Sequence, residues 1–287
     1  MSIVVTAVVI GLLFFLTGCA VFFASVGVRH LALAVGVPYA LAPFLVSQAV
    51  TLGWGLPEIL LPVLLACGAL GLLFCRATRW LRRRSARGEH LLLFSISLLG
   101  IAESLLSMVF GGDLRSINIE KLSLPFLGPG RAGEFRWAVT GTAATVLTGL
   151  AIWAWQSKRI GTLLRALSFS EEGLEIRGVP SRRLAEWVTA LGFVTGGCTG
   201  VLWAVVLQVR PSSVTEGAIL GAIVVLAGRV ASRDLMGVML AAMACAASRF
   251  LLTRWLSGDW TVTSALIVLV LVGVVGQVRG KKMLEAG

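Results

Sequence analysis

The sequence predicts an all-α fold, a polytopic integral membrane helical bundle with eight or nine spans, on three observations. Of the 287 residues, 57% are apolar and only 14% are charged, against about 25% charged residues in an ordinary soluble chain. The mean hydropathy is +0.92. Because a soluble globule needs polar residues to cover its surface, this composition argues against a soluble enzyme, a nucleic-acid-binding domain and a disordered chain.

Nine apolar segments approach the roughly 20 residues that a spanning helix needs. Two of them are weaker, since Pro38 and Pro43 interrupt the second segment and the seventh is short. Each of these two is a candidate for a broken or re-entrant helix, buried against other helices. With short loops between spans, residues 1–287 are predicted to form a single transmembrane domain. The segments lie near 3–25, 31–50, 55–75, 90–110, 137–156, 185–208, 216–232, 235–256 and 261–278.

The net charge of +11 is concentrated in hydrophilic gaps beside the spans. Because cytoplasmic loops are rich in Lys and Arg, the gaps 76–89 and 157–184 and the C-terminal tail are predicted to be cytoplasmic, and no nucleic-acid partner is expected. The gap 111–136 has nearly balanced charges and is predicted to lie outside, as is the N-terminus if 31–50 spans. The orienting residues are Arg76, Arg79, Arg82, Arg83, Arg84, Arg87, Lys158, Arg159, Arg165, Arg177, Arg182, Arg183, Arg279, Lys281 and Lys282.

Small residues predict where helices pack closely. Gly192, Gly196 and Gly200 fall four residues apart, a spacing that lets helix backbones approach in lipid. Plain helix packing is the simpler interpretation, and a helix that slides along this stripe is the alternative. The five cysteines form no CxxC pair and the two histidines lie at span borders, so no disulfide framework, metal site or cofactor is expected.

Two charged residues lie deep inside predicted spans. Glu103 and Arg249 fall about midway along their segments, where an ionisable group is costly and usually faces the bundle interior. One interpretation is structural, either an ion pair or an arginine side chain that extends to the membrane surface. The other is that one or both residues line a translocation path and contact the solute.

The hydrophilic segment 157–184 carries the strongest local signals. We predict one short helix from about Arg159 to Leu167 and a second that begins after Ser168 or Ser170 and is capped at Gly178. Because a mere connector could be far shorter, the segment is predicted to be a docking surface for a partner. The alternative is an amphipathic segment that lies on the bilayer surface.

Several strings in this chain combine into a recognisable pattern. The pattern begins with the residues from Arg159 to Ala166, followed by Glu171 and the residues from Ile176 to Val179. It continues with a basic pair and then the glycines Gly196, Gly197 and Gly200. An Arg-rich gap at 76–87 precedes a span with Gly100, and a short turn at 257–260, a last apolar run and Arg279-Gly280 end the chain. Over almost its whole length the sequence resembles the permeases of branched-chain amino acid ABC transporters, most specifically over 157–200.

The resemblance implies a permease subunit of an ABC importer in the bacterial inner membrane, which moves branched-chain or related amino acids by alternating access. The chain is not expected to be an enzyme: it has no GxxxxGK[ST] loop, so ATP hydrolysis is expected on separate ATP-binding subunits. The other expected partners are a second permease chain, identical or different, an extracytoplasmic solute-binding protein and membrane lipid. The segment 157–184 becomes the ATPase-docking loop, with contact residues Arg159, Gly161, Leu163, Leu164, Arg165, Leu167, Glu171, Glu172 and Gly178.

Two other classes of function remain open at this point. An ion-coupled secondary transporter would need no docking loop. A non-transport membrane scaffold or a membrane-embedded enzyme is the second alternative. The enzyme would need a polar catalytic cluster, for which the sequence offers no candidate residues.

Overall fold

The computed structural model describes residues 3–84, 88–112, 114, 117, 132–169, 171–176, 178–231, 235–255, 263 and 265–270. Within these ranges the chain is helical and contains no β-strand. A 3-10 turn, Leu33–Val35, separates the first two helices. The helices are α1 (Ile3–Val28), α2 (Gly36–Thr51), α3 (Leu56–Arg83), α4 (Gly88–Phe110), α5 (Ala132–Gln156), α6 (Ile160–Phe169), α7 (Glu171–Ile176), α8 (Ser181–Val206), α9 (Ser213–Ala231) and α10 (Leu235–Trp255).

The predicted fold class, an all-α polytopic membrane bundle, is confirmed. Among the described residues, seven helices are long and apolar enough to cross a membrane, namely α1 to α5, α8 and α10. The segment 216–232 is a continuous helix within α9 and is not broken, although α9 is not one of the seven. Of the predicted span 261–278, only residues 263 and 265–270 are described. The tail after 279 and most of 111–136 lie outside the described residues.

Helices α1 and α8 form the centre of the bundle and run antiparallel. Gly27, near the end of α1, lies against Ala185 near the start of α8, and the rings of Phe14 and Trp203 are 5.9 Å apart between centroids. Every residue of α1 from Leu13 to Val28 is buried. A helix that is apolar all round is stable only when other helices surround it, and α1 also contacts α5, α9 and α10.

The glycine stripe of α8 is where the neighbouring backbones come closest. A methyl group added at Gly192 would lie 2.7 Å from the carbonyl oxygen of Ala20. One added at Gly196 would lie 2.9 Å from the Val35 side chain, and one at Gly200 would collide with the carbonyl group of Tyr39. The stripe therefore brings α8 against both α1 and the start of α2, as small residues do in membrane bundles.

The second predicted span is continuous and is not broken at its prolines. It starts with the 3-10 turn before Gly36, and α2 then begins beside the middle of α8. Pro38 lies in the first turn of α2, where the backbone N–H has no helical acceptor in any case. Pro43 lies inside a continuous helix. The prediction that the prolines break this span is therefore wrong. Pro38 removes no helical hydrogen bond, and Pro43 is buried and held in the helix by packing.

The two basic gaps lie at the same end of the bundle. Arg79, near the end of α3, contacts both Arg182 and Glu186 at the start of α8. Arg82 donates a hydrogen bond to the carbonyl oxygen of Val28 at the end of α1. We call this end of the bundle the basic end. Its assignment to the cytoplasm remains a prediction from the distribution of charge.

Candidate functional site

At the basic end, the segment 157–184 folds into the two short helices that the sequence predicts. Helix α6 spans Ile160–Phe169 and helix α7 spans Glu171–Ile176. Gly178 follows with a φ of +74°, a conformation that favours glycine. Its N–H donates to the carbonyl oxygen of Glu175 at 2.9 Å, so Gly178 closes α7 as a C-terminal cap.

The apolar face of α6 packs on the chain's own core. Leu164 and Leu167 are only 3% and 1% exposed, and Leu163 packs against the same cluster. A side chain at Gly161 would collide with the carbonyl group of Trp155. These residues therefore attach α6 to the membrane helices, and the expected apolar contact with a partner is limited by that burial.

A polar face of α6 remains accessible. Arg159, Thr162, Arg165 and Ser168 are exposed. The guanidinium carbon of Arg165 lies 5.5 Å from the ring centroid of Trp155, which favours one direction for this side chain through a cation–π contact. The side chains of the predicted contact residues Glu171 and Glu172 lie outside the described part of the structure.

A network of charged groups joins α7 to two membrane helices. The Ser181 hydroxyl donates to the Glu175 carboxylate at 2.8 Å, and the Arg182 guanidinium lies 3.8 Å from the same group. Glu186, one turn further along α8, accepts a hydrogen bond from Arg79 of α3 at 3.1 Å. A displacement of α7 would therefore pull on the starting turns of α8, and through them on α3.

His30 lies beside this network, between α1 and α2. Its Nδ1 atom is 3.1 Å from the carbonyl oxygen of Val28, and its ring lies 6.1 Å from that of Phe74 between centroids. Burial lowers the pKa of His30 below its ordinary value, the Arg82 charge lowers it further, and the hydrogen bond to Val28 opposes both effects. Burial and the Arg82 charge therefore favour the neutral form of His30.

A cavity of about 630 Å³ lies at the opposite end, between the end of α8, the start of α9 and parts of α2, α5 and α10. Three guanidinium groups and one carboxylate line it, so the charge of its described lining is positive at neutral pH. Its volume is typical of small-molecule sites. The lining residues are Tyr39, Leu114, Arg136, Trp203, Val205, Val206, Leu207, Gln208, Val209, Arg210, Ser213, Glu216, Leu220 and Arg249.

Arg249 and Trp203 form the inner wall of this cavity. The guanidinium carbon of Arg249 lies 5.6 Å from the ring centroid of Trp203. Trp203 is only 5% exposed, and among the described residues its Nε1–H has no hydrogen-bond acceptor. The Nε1 atom itself is buried, and a buried donor without a partner is costly, so a ligand group that reached it would gain by accepting this hydrogen bond.

The two residues predicted for the translocation path are in different places. Arg249 lines the cavity, as a path residue would. The Glu103 carboxylate instead accepts a hydrogen bond from the Thr215 hydroxyl of α9 at 2.6 Å, and Glu103 is not in the cavity lining. The structure thus gives Glu103 a role in joining α4 to α9.

Sequence reasoning missed most of the polar cavity residues. Tyr39, Arg136, Arg210 and Glu216 come from four different parts of the chain, and no spacing links them. Tyr39 is the only tyrosine, and Trp203 lies deep in its span, away from the interface where tryptophan is enriched. Tyr39 and Trp203 were therefore the two residues from which the sequence could have indicated this cavity.

Among the described residues, no group of three or more His, Cys, Asp or Glu side chains is placed to hold a metal ion. All five cysteines are free thiols, and four of them are buried.

This chain is similar to a known protein in its structure. No family model and no curated protein matches the sequence. The chain is similar to a chain of PsaBC from Streptococcus pneumoniae, whose structure was solved in complex with a Fab. The two are 13% identical with a TM-score of 0.50, and the match covers 95% of this chain and 88% of that one. The chain described here therefore shares the fold of that PsaBC chain.

Proposed function

We propose that this protein is the permease subunit of an ABC importer. The single observation that carries the proposal is the fold that 95% of this chain shares with the PsaBC chain, which is an ABC-transporter permease. The structured helix pair α6–α7 at the basic end gives independent support. A permease whose ATP hydrolysis takes place on another subunit needs an ordered element that passes motion to its spans.

The contacts of α6–α7 suit such a coupling element. Leu164 and Leu167 fix α6 to the core, while Glu175 connects α7 to α8. A force on the exposed polar face would therefore reach the membrane helices. In this proposal Arg159 and Arg165 orient the ATP-binding subunit, and the buried leucines transmit the displacement.

The complete transporter would contain further chains. We propose two permease chains, two ATP-binding subunits and an extracytoplasmic solute-binding protein, in the bacterial inner membrane. Branched-chain or related amino acids are the proposed solutes, on the sequence resemblance over 157–200. Apolar side chains on the exposed faces of α3, α4 and α5 are available for lipid and for the second permease chain; examples are Leu61, Leu65, Leu93, Ile101, Val146 and Leu150.

The test is reconstitution of the complex purified from its native host through a tagged copy of this chain. In proteoliposomes with the solute-binding protein, we expect uptake of radiolabelled leucine that requires ATP inside. Uptake that proceeds without ATP and follows an imposed ion gradient would contradict the proposal and favour a secondary transporter.

A matched pair of variants tests the docking face. Arg165→Glu should reduce recovery of the ATP-binding subunit and ATP-dependent uptake, because it reverses a charge on the exposed face of α6. Arg84→Glu makes the same change at an exposed position just beyond the end of α3 and should leave both nearly unchanged. Equal behaviour of the two variants would exclude α6 as the specific contact.

A further inference from the structure

The cavity at the end opposite the basic end has the properties of a solute site. It is lined by three arginines, from the start of α5, the loop after α8 and the middle of α10, and by one glutamate in the first turn of α9. The walls between these charges are apolar, with Leu114, Val205 and Leu220 among them. A few convergent polar groups on apolar walls are what small-molecule sites present.

We propose that this cavity binds a small organic carboxylate with an apolar body, and that Arg249 and Trp203 hold the carboxylate group. This inference rests on the proposed function and gives it a site. Guanidinium groups are the side chains best matched to carboxylates. The indole N–H of Trp203 adds a buried donor that no described residue satisfies, and the guanidinium group of Arg249 lies over the face of the same ring.

The charged residues of the cavity lining also disfavour other classes of ligand. A divalent cation would be repelled by the three guanidinium groups, and an amine without a carboxylate would be repelled in the same way. The one carboxylate in the lining, Glu216, gives a place for the ammonium group of an amino acid. The chemistry therefore fits an apolar amino acid zwitterion, and the carboxylate is its essential part.

The location is consistent with delivery from outside the cell. The cavity surrounds the end of α8, whereas the start of α8 lies at the basic end with Arg79 and Arg82. If the basic end is cytoplasmic, the cavity is on the side where a solute-binding protein would release its cargo. A solute held there would contact α2, α8, α9 and α10 at once, so its binding can bias their arrangement.

The experiment measures binding to the full-length chain alone in lipid nanodiscs, without ATP-binding subunits. Isothermal titration would use leucine, 4-methylpentanoate, which lacks the amine, and 3-methylbutylamine, which lacks the carboxylate. We expect leucine and 4-methylpentanoate to bind and the amine not to bind. Binding of the amine alone, or of no carboxylate at millimolar concentration, would overturn the proposal.

Three variants locate the site. Arg249→Gln should weaken leucine binding at least about tenfold, and Trp203→Phe, which keeps the ring and removes the N–H, about three- to tenfold. Glu216→Gln should weaken leucine more than 4-methylpentanoate. If Arg249→Gln does not fold, Trp203→Phe still decides, because its ring contact with Phe14 can be kept. Unchanged affinity in Trp203→Phe would show that the solute binds elsewhere.

The two proposals can fail separately. Carboxylate binding with the expected dependence on Trp203, but without ATP-dependent uptake by the assembled complex, would retain the site and reject the importer. ATP-dependent leucine uptake that Trp203→Phe and Arg249→Gln leave unchanged would retain the importer and reject the site.

Discussion

The Nη1 atom of Arg79, near the end of α3, lies 3.1 Å from the Oε1 atom of Glu186 in the second turn of α8. The two residues are 107 positions apart in the sequence, and both side chains are 22% exposed. The same arginine donates to the backbone carbonyl of Arg182 at 2.6 Å. These contacts join the two basic gaps, so a movement of α8 at this end should also move α3.

Arg79 is therefore expected to contribute more to stability than its neighbour in the same cluster. Arg79→Gln should destabilise the folded protein by about 1–3 kcal/mol, because it leaves a half-buried carboxylate and a carbonyl without their donor. Arg76→Gln is the control, since Arg76 is 66% exposed and lies 3.8 Å from Glu186, where a pair contributes little. Thermal unfolding in detergent measures both, and equal melting temperatures would refute the difference.

The orientation can be tested with single cysteines in a background that lacks the five native ones. Leu52→Cys lies in the exposed turn between α2 and α3, and Arg159→Cys lies at the basic end before α6. An impermeant maleimide should label residue 52 in intact cells and residue 159 only after permeabilisation. The reverse pattern would place the basic end outside, against the charge rule.

Gly200 is expected to tolerate no side chain. Pro43 has no N–H to donate to the carbonyl group of Tyr39 four residues earlier, and Gly200 packs directly against that carbonyl. Gly200→Ala should force α2 and α8 apart and cost about 1–3 kcal/mol or more. Gly100→Ala is the matched control because the space around Gly100 is open, and alanine is the better helix former. A similar yield of folded, monodisperse protein for both variants would contradict this packing.

Local signals allowed the helices and caps to be predicted. Hydropathy alone locates α1, α4, α5, α8 and α10 to within about five residues, because a membrane span is a long and redundant signal. It misses the end of α3, which continues past the predicted end at 75 to Arg83, because the last turns of this helix are basic. The Gly178 cap was also predictable, since the left-handed conformation it adopts is a property of one residue and its neighbours.

The sites were not predictable in the same way. The apolar stripe of α6 shows that one face is buried but not whether its own chain or a partner covers it; Leu164 and Leu167 are covered by the chain itself. The cavity draws residues from separate helices, so only the packed bundle brings Tyr39 and Arg249 together. Their juxtaposition is a long-range property that no sequence spacing records.

Because Leu164 of α6 is buried in the chain's own core, a charge at position 164 should affect the stability of the fold. A carboxylate in Leu164→Asp would be placed in the apolar core, where an unpaired charge is costly, so the membrane domain itself should be destabilised. Ser168→Asp places the same group on the exposed face of α6 and should leave the melting temperature nearly unchanged. If Leu164→Asp melts like the wild type and only loses ATPase recovery, Leu164 contacts the partner after all.

His30 should make stability depend on pH in a defined direction. Burial and the Arg82 charge lower its pKa in the folded protein, whereas the unfolded chain titrates near the ordinary value of about 6.5. As the pH falls below that value, the unfolded state binds the proton first, so stability decreases until the lowered folded-state pKa is reached. The melting temperature of the wild type should therefore fall between pH 7 and pH 5.5 by more than that of His30→Gln. His90→Gln, at the exposed start of α4, should retain the wild-type slope, and an unchanged slope in His30→Gln would show that another group carries the effect.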